Sequence, residues 1–507
     1  MCDSIAINGN TIEAVGKYEE LKSLIQQGTE VIDAKGKTIM PGFNDSHIHI
    51  WKVGNLKTFM LDVRGVKSKE ELIQSLANYH LSNPHLKWIT ARGFNEVNWQ
   101  EKSMPTKADL DKVSTDKPIY LIRTCAHIAA CNSKALQIAG IDEHTKAPAG
   151  GTIQLDENGQ PNGLLNETAL GLVANKISPY SIEDLKIMIR ACREEMYSYG
   201  ITAATDPAAD PLLIQAYKEM DDAGELRFRL NILPIILPDG SNDPFPIPEK
   251  YHTPYLTINT VKFFADGGLS GKTSALKRFY KNTKEQGVLR LDKKQFAALS
   301  RQCMEKGLGV ATHAIGDAAI EMVLEVYEEL HNNFPLIIKR IEHLGLPEKK
   351  HLQIMEANHI ACSMQTIFID ELGKNFIQYL DDEYLQQCYP VKAVLNNNIL
   401  MALSSDAPVV KSFNPLKGIA AAITRKTSEG ETIAAHESIS MEAALKAYTI
   451  NAAGIGGEDR FGSLQKGKLA DFIMLNQNPM HSAVENISTI KVLSTYIDGK
   501  EVWRLPE

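Results

Sequence analysis

Thr38-Ile-Met-Pro-Gly-Phe-Asn-Asp-Ser-His-Ile-His49 reads as a short extended run that delivers two histidines to its end. Residues i and i+2 of a strand point to the same side, so His47 and His49 can converge on one cation at the strand's mouth. A His-x-His pair also arises by chance. Its meaning depends on what the rest of the chain builds around it.

After a long gap, apolar runs alternate with polar loops and amphipathic stretches. Residues 201–206, 230–236, 260–264, 309–313, 340–343, 360–364 and 399–404 read as strands. The clearest helix covers 181–199. Ser181 and Asp184 have capping-box spacing, Leu185, Met188, Ile189, Cys192, Met196 and Tyr199 share one face, and Gly200 suits the left-handed position after the last turn. With 38–43 as the first strand, eight strand–helix units predict an α/β fold, a TIM-like (β/α)8 barrel over 39–459. The stretch from about 61 to 180 breaks the rhythm. It is expected to be an insertion after the first strand that covers the barrel mouth. Both chain ends read as short strands with turns at Asn8-Gly9 and Asp498-Gly499. Residues 1–38 and 460–507 are therefore expected to form one discontinuous β-sandwich domain.

Active faces of such barrels lie at the carboxyl ends of the strands. Five further polar groups fall there: Lys262, His313, His343, Gln365 and Asp406. Each alone reads equally well as a satisfied polar residue or a cap. Their shared position at strand ends favours one site.

Bulk properties narrow the function. The formal net charge of -8 offers no basic excess for nucleic acid or an anionic membrane. The seven cysteines are scattered and include no Cys-x-x-Cys pair, which argues against a disulfide framework or a zinc ribbon. The opening Met1-Cys2-Asp3-Ser4-Ile5 lacks a basic, apolar leader, and no apolar run is long enough for a bilayer. A cytoplasmic enzyme acting on a small-molecule substrate is expected.

Several motifs carry a family resemblance. They are Pro41-Gly-Phe-Asn-Asp-Ser-His-Ile-His49, Met104-Pro-Thr-Lys-Ala-Asp-Leu-Asp111, Gly163-Leu-Leu-Asn-Glu-Thr-Ala169, Thr312-His-Ala-Ile-Gly-Asp317, Ser404-Ser-Asp-Ala-Pro-Val409, Ala447-Tyr-Thr-Ile-Asn-Ala-Ala453 and Gly462-Ser-Leu-Gln-Lys-Gly-Lys-Leu-Ala-Asp471. Together they make the chain resemble the amidohydrolase superfamily. Within it, the chain is similar to amidohydrolase family 3, the YtcJ-like branch that includes N-substituted formamide deformylase.

The resemblance implies a ligand set. His47, His49 and Asp406 would hold one zinc, and His313 and His343 a second, with manganese and iron as alternatives. Lys262 would be carbamylated and bridge the two ions. A free lysine titrates near ~10.4 and is a poor ligand when charged. Phe263 and Phe264 hint at an apolar setting that favours the neutral amine, which can take up carbon dioxide. A single ion held by His47, His49, His313 and Asp406 is the conservative version. Asp406 would act as general base and then acid. His343 would polarise the substrate carbonyl if one ion binds. Arg123, His127, Glu167, Lys272 and Gln365 are the expected substrate contacts, and a homodimer is the expected assembly.

Two stretches depart from the family pattern. Asp266-Gly-Gly-Leu-Ser-Gly-Lys272 stands where Asp-Gly-Ser-Leu-Gly-Ser-Arg is usual, and Cys125-Ala-His127 where Asp-Gly-His is usual. A lysine offers a point charge where an arginine offers a planar fork, so substrate preference would shift. The implied reaction is hydrolysis of a non-peptide carbon–nitrogen bond, in an amide, formamide or cyclic amide. The competing readings are deamination, decarboxylation or isomerisation on the same barrel, or a non-catalytic regulatory relic.

Overall fold

The computed structural model describes residues 3–96, 99–124, 128–148, 151–238 and 243–506. The chain divides into two compact units, residues 51–192 and the remainder.

The larger unit has a TIM-barrel-like α/β core. Its parallel strands follow one another in chain order: Phe43–Asp45, Ile201–Ala209, Arg229–Pro234, the run Leu256–Ile258 and Thr260–Phe264, Gly309–Ala314, Lys339–His343, Ala361–Met364 and Met401–Leu403. The fourth run is interrupted at Asn259. Its first half pairs with the third strand and its second half with the fifth. Beyond the eighth strand, the Asp406 N–H donates to the His47 carbonyl at 2.7 Å, which brings the last strand's exit beside the first. Helices such as Asp317–His331 return the chain and bury an apolar stripe of Ile320, Val323, Leu324, Tyr327 and Leu330.

The run expected as one first strand is two. Thr38–Pro41 pairs antiparallel with Phe472–Leu475, and only Phe43–Asp45 joins the second barrel strand. The break falls at Gly42, where a Cβ would lie 2.1 Å from Thr202 Oγ1. Close approach of the second strand leaves room for glycine alone, and the chain changes sheets there. Thr38–Pro41, Phe472–Leu475, Val492–Ile497 and Lys500–Arg504 make a four-stranded sheet. The hairpin Ser4–Asn8 and Thr11–Gly16 shares an apolar core with it, formed by Ile12, Ala470, Phe472 and Tyr496. Arg229, at the start of the third barrel strand, forks onto Asp471 at 2.8 and 2.9 Å.

The smaller unit carries a six-stranded sheet flanked by helices, including Lys69–Ser82. One core packs Leu72, Leu76, Phe94, Trp99 and Leu121, and a second packs Tyr120, Leu136, Leu165 and Val173. Helix Ile182–Ser198 opens on the expected box: Asp184 N–H donates to Ser181 Oγ at 3.2 Å, and Ser181 N–H to the Asp184 carboxylate at 2.9 Å. No helix among the described residues is long and apolar enough to cross a membrane. The five described cysteines are buried.

Candidate active site

His47 and His49 leave the first barrel strand in a segment held on both sides. Ile48 N–H donates to the Thr205 carbonyl and His49 N–H to the Ala407 carbonyl, both at 2.9 Å. The two Nε2 atoms each lie 3.4 Å from Asp406 Oδ1. One ligand atom from each of the three residues falls within 4.8 Å of the others, and all three residues are buried.

His343 stands beside this trio, with Nδ1 4.0 Å from Asp406 Oδ2 and its ring 4.8 Å from that of His47. The His313 ring is 4.4 Å from that of His343. His313 Nε2, however, faces the Gly267 carbonyl at 3.1 Å and Asp266 Oδ1 at 3.3 Å. His343 and Asp406 both adopt left-handed backbone, with φ of 78° and 57°. Non-glycine residues rarely do so, and such strain gathers at functional sites. At His343 it has a geometric use. Regular alternation would send His343 and Glu342 to opposite faces, yet both reach the same centre.

Electrostatics keep the His47 and His343 imidazoles neutral. Burial, and then the Lys262 charge, push His47 down to about 4. Burial, with His313 and His47 close by, holds His343 well below the usual imidazole range. Burial lowers Lys262 to about 8, and its Nζ has no hydrogen-bond partner among the described residues. The ammonium position lies 4.9 Å from the Phe264 ring centroid. Asp266 does not serve as its counter-ion. That carboxylate accepts from the backbone N–H groups of Ala275, Ile315 and Gly316 at 2.8–3.0 Å. Neutral imidazoles, a carboxylate and a buried amine with no hydrogen bond among the described residues, which would otherwise be costly to bury, form a donor set that suits a divalent ion such as zinc.

Gln365 is buried against His343, at 2.7 Å from its Nδ1. Lys272 forms an ion pair with Glu285 at 2.5 Å. Arg123 forks onto Glu96 at 2.8 and 3.0 Å within the smaller unit. His127 lies outside the described residues. Glu167 ends strand Pro161–Glu167, and its side chain is likewise outside what is described.

Glu342 and Arg340 were not singled out from sequence. Both are fully buried, and Arg340 pairs with Glu342 while Glu342 also engages His47 Nδ1. The Arg340 charge and His47 keep the Glu342 carboxyl ionised against the cost of burial. In sequence, Arg340-Ile-Glu342 shows only two charges on one face of a strand, and their burial is what the structure adds. Asp45 was missed as well. It accepts from Ser405 N–H at 3.0 Å, and burial raises it to about 7.

The amidohydrolase family model matches residues 30–503. The chain is 30% identical to YtcJ of Bacillus subtilis (strain 168) over 99% of this chain and 96% of that one. It is 27% identical to N-substituted formamide deformylase of Arthrobacter pascens, over 98% of this chain and 94% of that one. Among solved structures, an uncharacterized metal-dependent hydrolase from Pyrococcus horikoshii OT3 matches with a TM-score of 0.79 at 25% identity, covering 95% of each chain.

Proposed function

This chain belongs to the amidohydrolase family, and on that premise we propose that it is a metal-dependent hydrolase of a non-peptide carbon–nitrogen bond in a small molecule. The bond is that of an amide, a formamide or a cyclic amide. The observation that carries this reading is the buried convergence of His47, His49 and Asp406 at strand ends.

His47, His49 and Asp406 would hold one ion, zinc by its donor set, and His313 and His343 a second. When bound, such an ion supplies Lewis acidity that activates water and polarises a carbonyl. The remaining work belongs to the chain's own groups. Asp406 takes the proton of the attacking water on a carboxylate oxygen and returns it to the leaving nitrogen. Solvent reaches the centre from the side of His49, Asp406 and His313, whose side chains are 9%, 9% and 12% exposed, against 1% for His47. Substrate therefore enters on the Asp406 side, where proton transfer is needed. Lys262, buried and with no hydrogen-bond partner at Nζ among the described residues, is the site of carbamylation in this reading. The terminal hairpin and four-stranded sheet, with their common core, are read as a small β-sandwich.

The test is direct. Purified protein is assayed for zinc, manganese and iron by elemental analysis. It is then offered N-formyl compounds, N-acyl amines and cyclic amides, with ammonia, carbon dioxide and carboxylate release followed separately. The expected result is stoichiometric metal and release of a carboxylate or formate. In Asp406→Asn, kcat falls by about 100- to 10,000-fold, the usual contribution of a general base. Protein that takes up none of these metals, or a variant of undiminished kcat, would sink the proposal.

A further inference from the structure

A chain of hydrogen bonds runs from His343 across the barrel interior to the residue before His47. Gln365 Oε1 lies 2.7 Å from His343 Nδ1, and Gln365 Nε2 donates to Ser404 Oγ at 2.8 Å. Ser404 Oγ and Ser363 Oγ are 2.8 Å apart, as are Ser363 Oγ and Ser46 Oγ. Ser46 Oγ donates to the Leu403 carbonyl at 3.2 Å. Gln365, Ser404, Ser363 and Ser46 are all 0% exposed, so no water competes for these groups.

The direction of the hydrogens follows from the Leu403 and Ser363 carbonyls at the ends of this hydrogen-bonded chain, because a carbonyl only accepts; the Met364 carbonyl, 3.4 Å from Ser404 Oγ, likewise leaves that oxygen as an acceptor toward Gln365. The Leu403 carbonyl claims the Ser46 hydrogen. Ser46 Oγ must then accept from Ser363, and Ser363 in turn accepts from Ser404. At the other end, Gln365 Nε2 also faces the Ser363 carbonyl at 3.5 Å. Turning the amide round would set its oxygen against that carbonyl, with no hydrogen between two acceptors. Gln365 therefore presents its oxygen to His343. An imidazole that meets an acceptor at Nδ1 carries its hydrogen there, which leaves the Nε2 lone pair free.

We infer that Gln365, backed by Ser404 and Ser363, is a positioning residue that fixes the tautomer and ring orientation of His343, so that Nε2 serves as a metal ligand. This rests on the metal-site reading above. It differs from a role in binding substrate, because both polar ends of Gln365 are already engaged inside the protein. Outer partners of ligating histidines hold the ring and raise its basicity, and their loss weakens metal binding about 10- to 100-fold.

The full-length zinc enzyme, Gln365→Leu, Gln365→Glu and Ser404→Ala are titrated against a chromophoric zinc chelator. Cobalt(II)-substituted samples are compared by visible absorption, and KM and kcat are measured alongside. Gln365→Leu should bind zinc about 10- to 100-fold more weakly, with an altered cobalt spectrum. Gln365→Glu still offers an acceptor to Nδ1 and should keep affinity close to that of the parent. Ser404→Ala should fall between the two. A folded Gln365→Leu with parental zinc affinity and cobalt spectrum, but a raised KM, would overturn the inference and return Gln365 to the substrate. If the leucine variant does not fold, Gln365→Glu decides: retained affinity supports the inference, and a tenfold loss overturns it. A parent protein that binds no zinc removes the metal-site reading itself, an outcome distinct from any difference between variants.

Discussion

Asp45 shows how a single buried carboxyl can report on the site without touching substrate. Burial raises it to about 7 from an ordinary 3.8, and one of its oxygens finds no hydrogen-bond partner among the described residues. In metal-free protein the native state holds this proton more tightly than the unfolded chain does. The associated stability is therefore fully present below pH 3.8 and is lost as pH rises through about 7. Asp45→Asn keeps the shape and removes the titration. Urea unfolding of chelator-treated protein at pH 5 and pH 8 should show the variant gaining on the parent at the higher pH. An unchanged difference between the two pH values would reject this account. At the same scale, Glu342 went unread because its partner Arg340 lies two places away in the same strand. Such a pair reads in sequence as a surface salt bridge until burial is known.

Strand exits, more than strands, arrange the functional groups. Asp266 ties the loop after the fourth strand to that after the fifth, through the Ala275, Ile315 and Gly316 N–H groups. Gly316 permits this contact, since a Cβ there would lie 2.0 Å from the Ala275 carbonyl oxygen. Gly316→Ala should force the two loops apart and cost about 1–3 kcal/mol. The same displacement should lower kcat, because His313 sits at the end of that strand. Chemical denaturation and a steady-state assay together check it, and a variant with parental stability would count against the packing argument. The eight-run rhythm was legible because apolar periodicity survives in one dimension. The division of 38–43 at Gly42 was not, because a change of sheet leaves the alternation intact and depends on a neighbour, Thr202, far along the chain.

At the scale of the larger unit, the C-terminal strands are locked to the barrel by one buried cation. Arg229 is 4% exposed and Asp471 3%. The guanidinium forks onto Asp471 and also reaches Asp498 at the C-terminal hairpin. Removing one partner of a buried pair leaves the other charge uncompensated, typically at about 3–5 kcal/mol. Arg229→Met should lose that much stability and open residues beyond 460 to limited proteolysis before the barrel strands. Simultaneous cleavage throughout the chain would refute the local picture. Nothing in the sequence around Arg229 announces this contact, since its partners lie more than 200 residues away.

The sequence by itself determined the class of fold and the identity of the candidate ligands. Hydrophobic period and the chemistry of histidine, lysine and aspartate are properties of short segments, readable without a partner. Only the tertiary structure decided which of those groups meet. It joined His47, His49 and Asp406, set His313 toward Gly267, and gave Lys272 and Arg123 acidic partners of their own. It also assigned Gln365 to His343. The physical reason is that proximity, burial and hydrogen direction depend on residues distant along the chain, and these become neighbours only when the strands stand side by side.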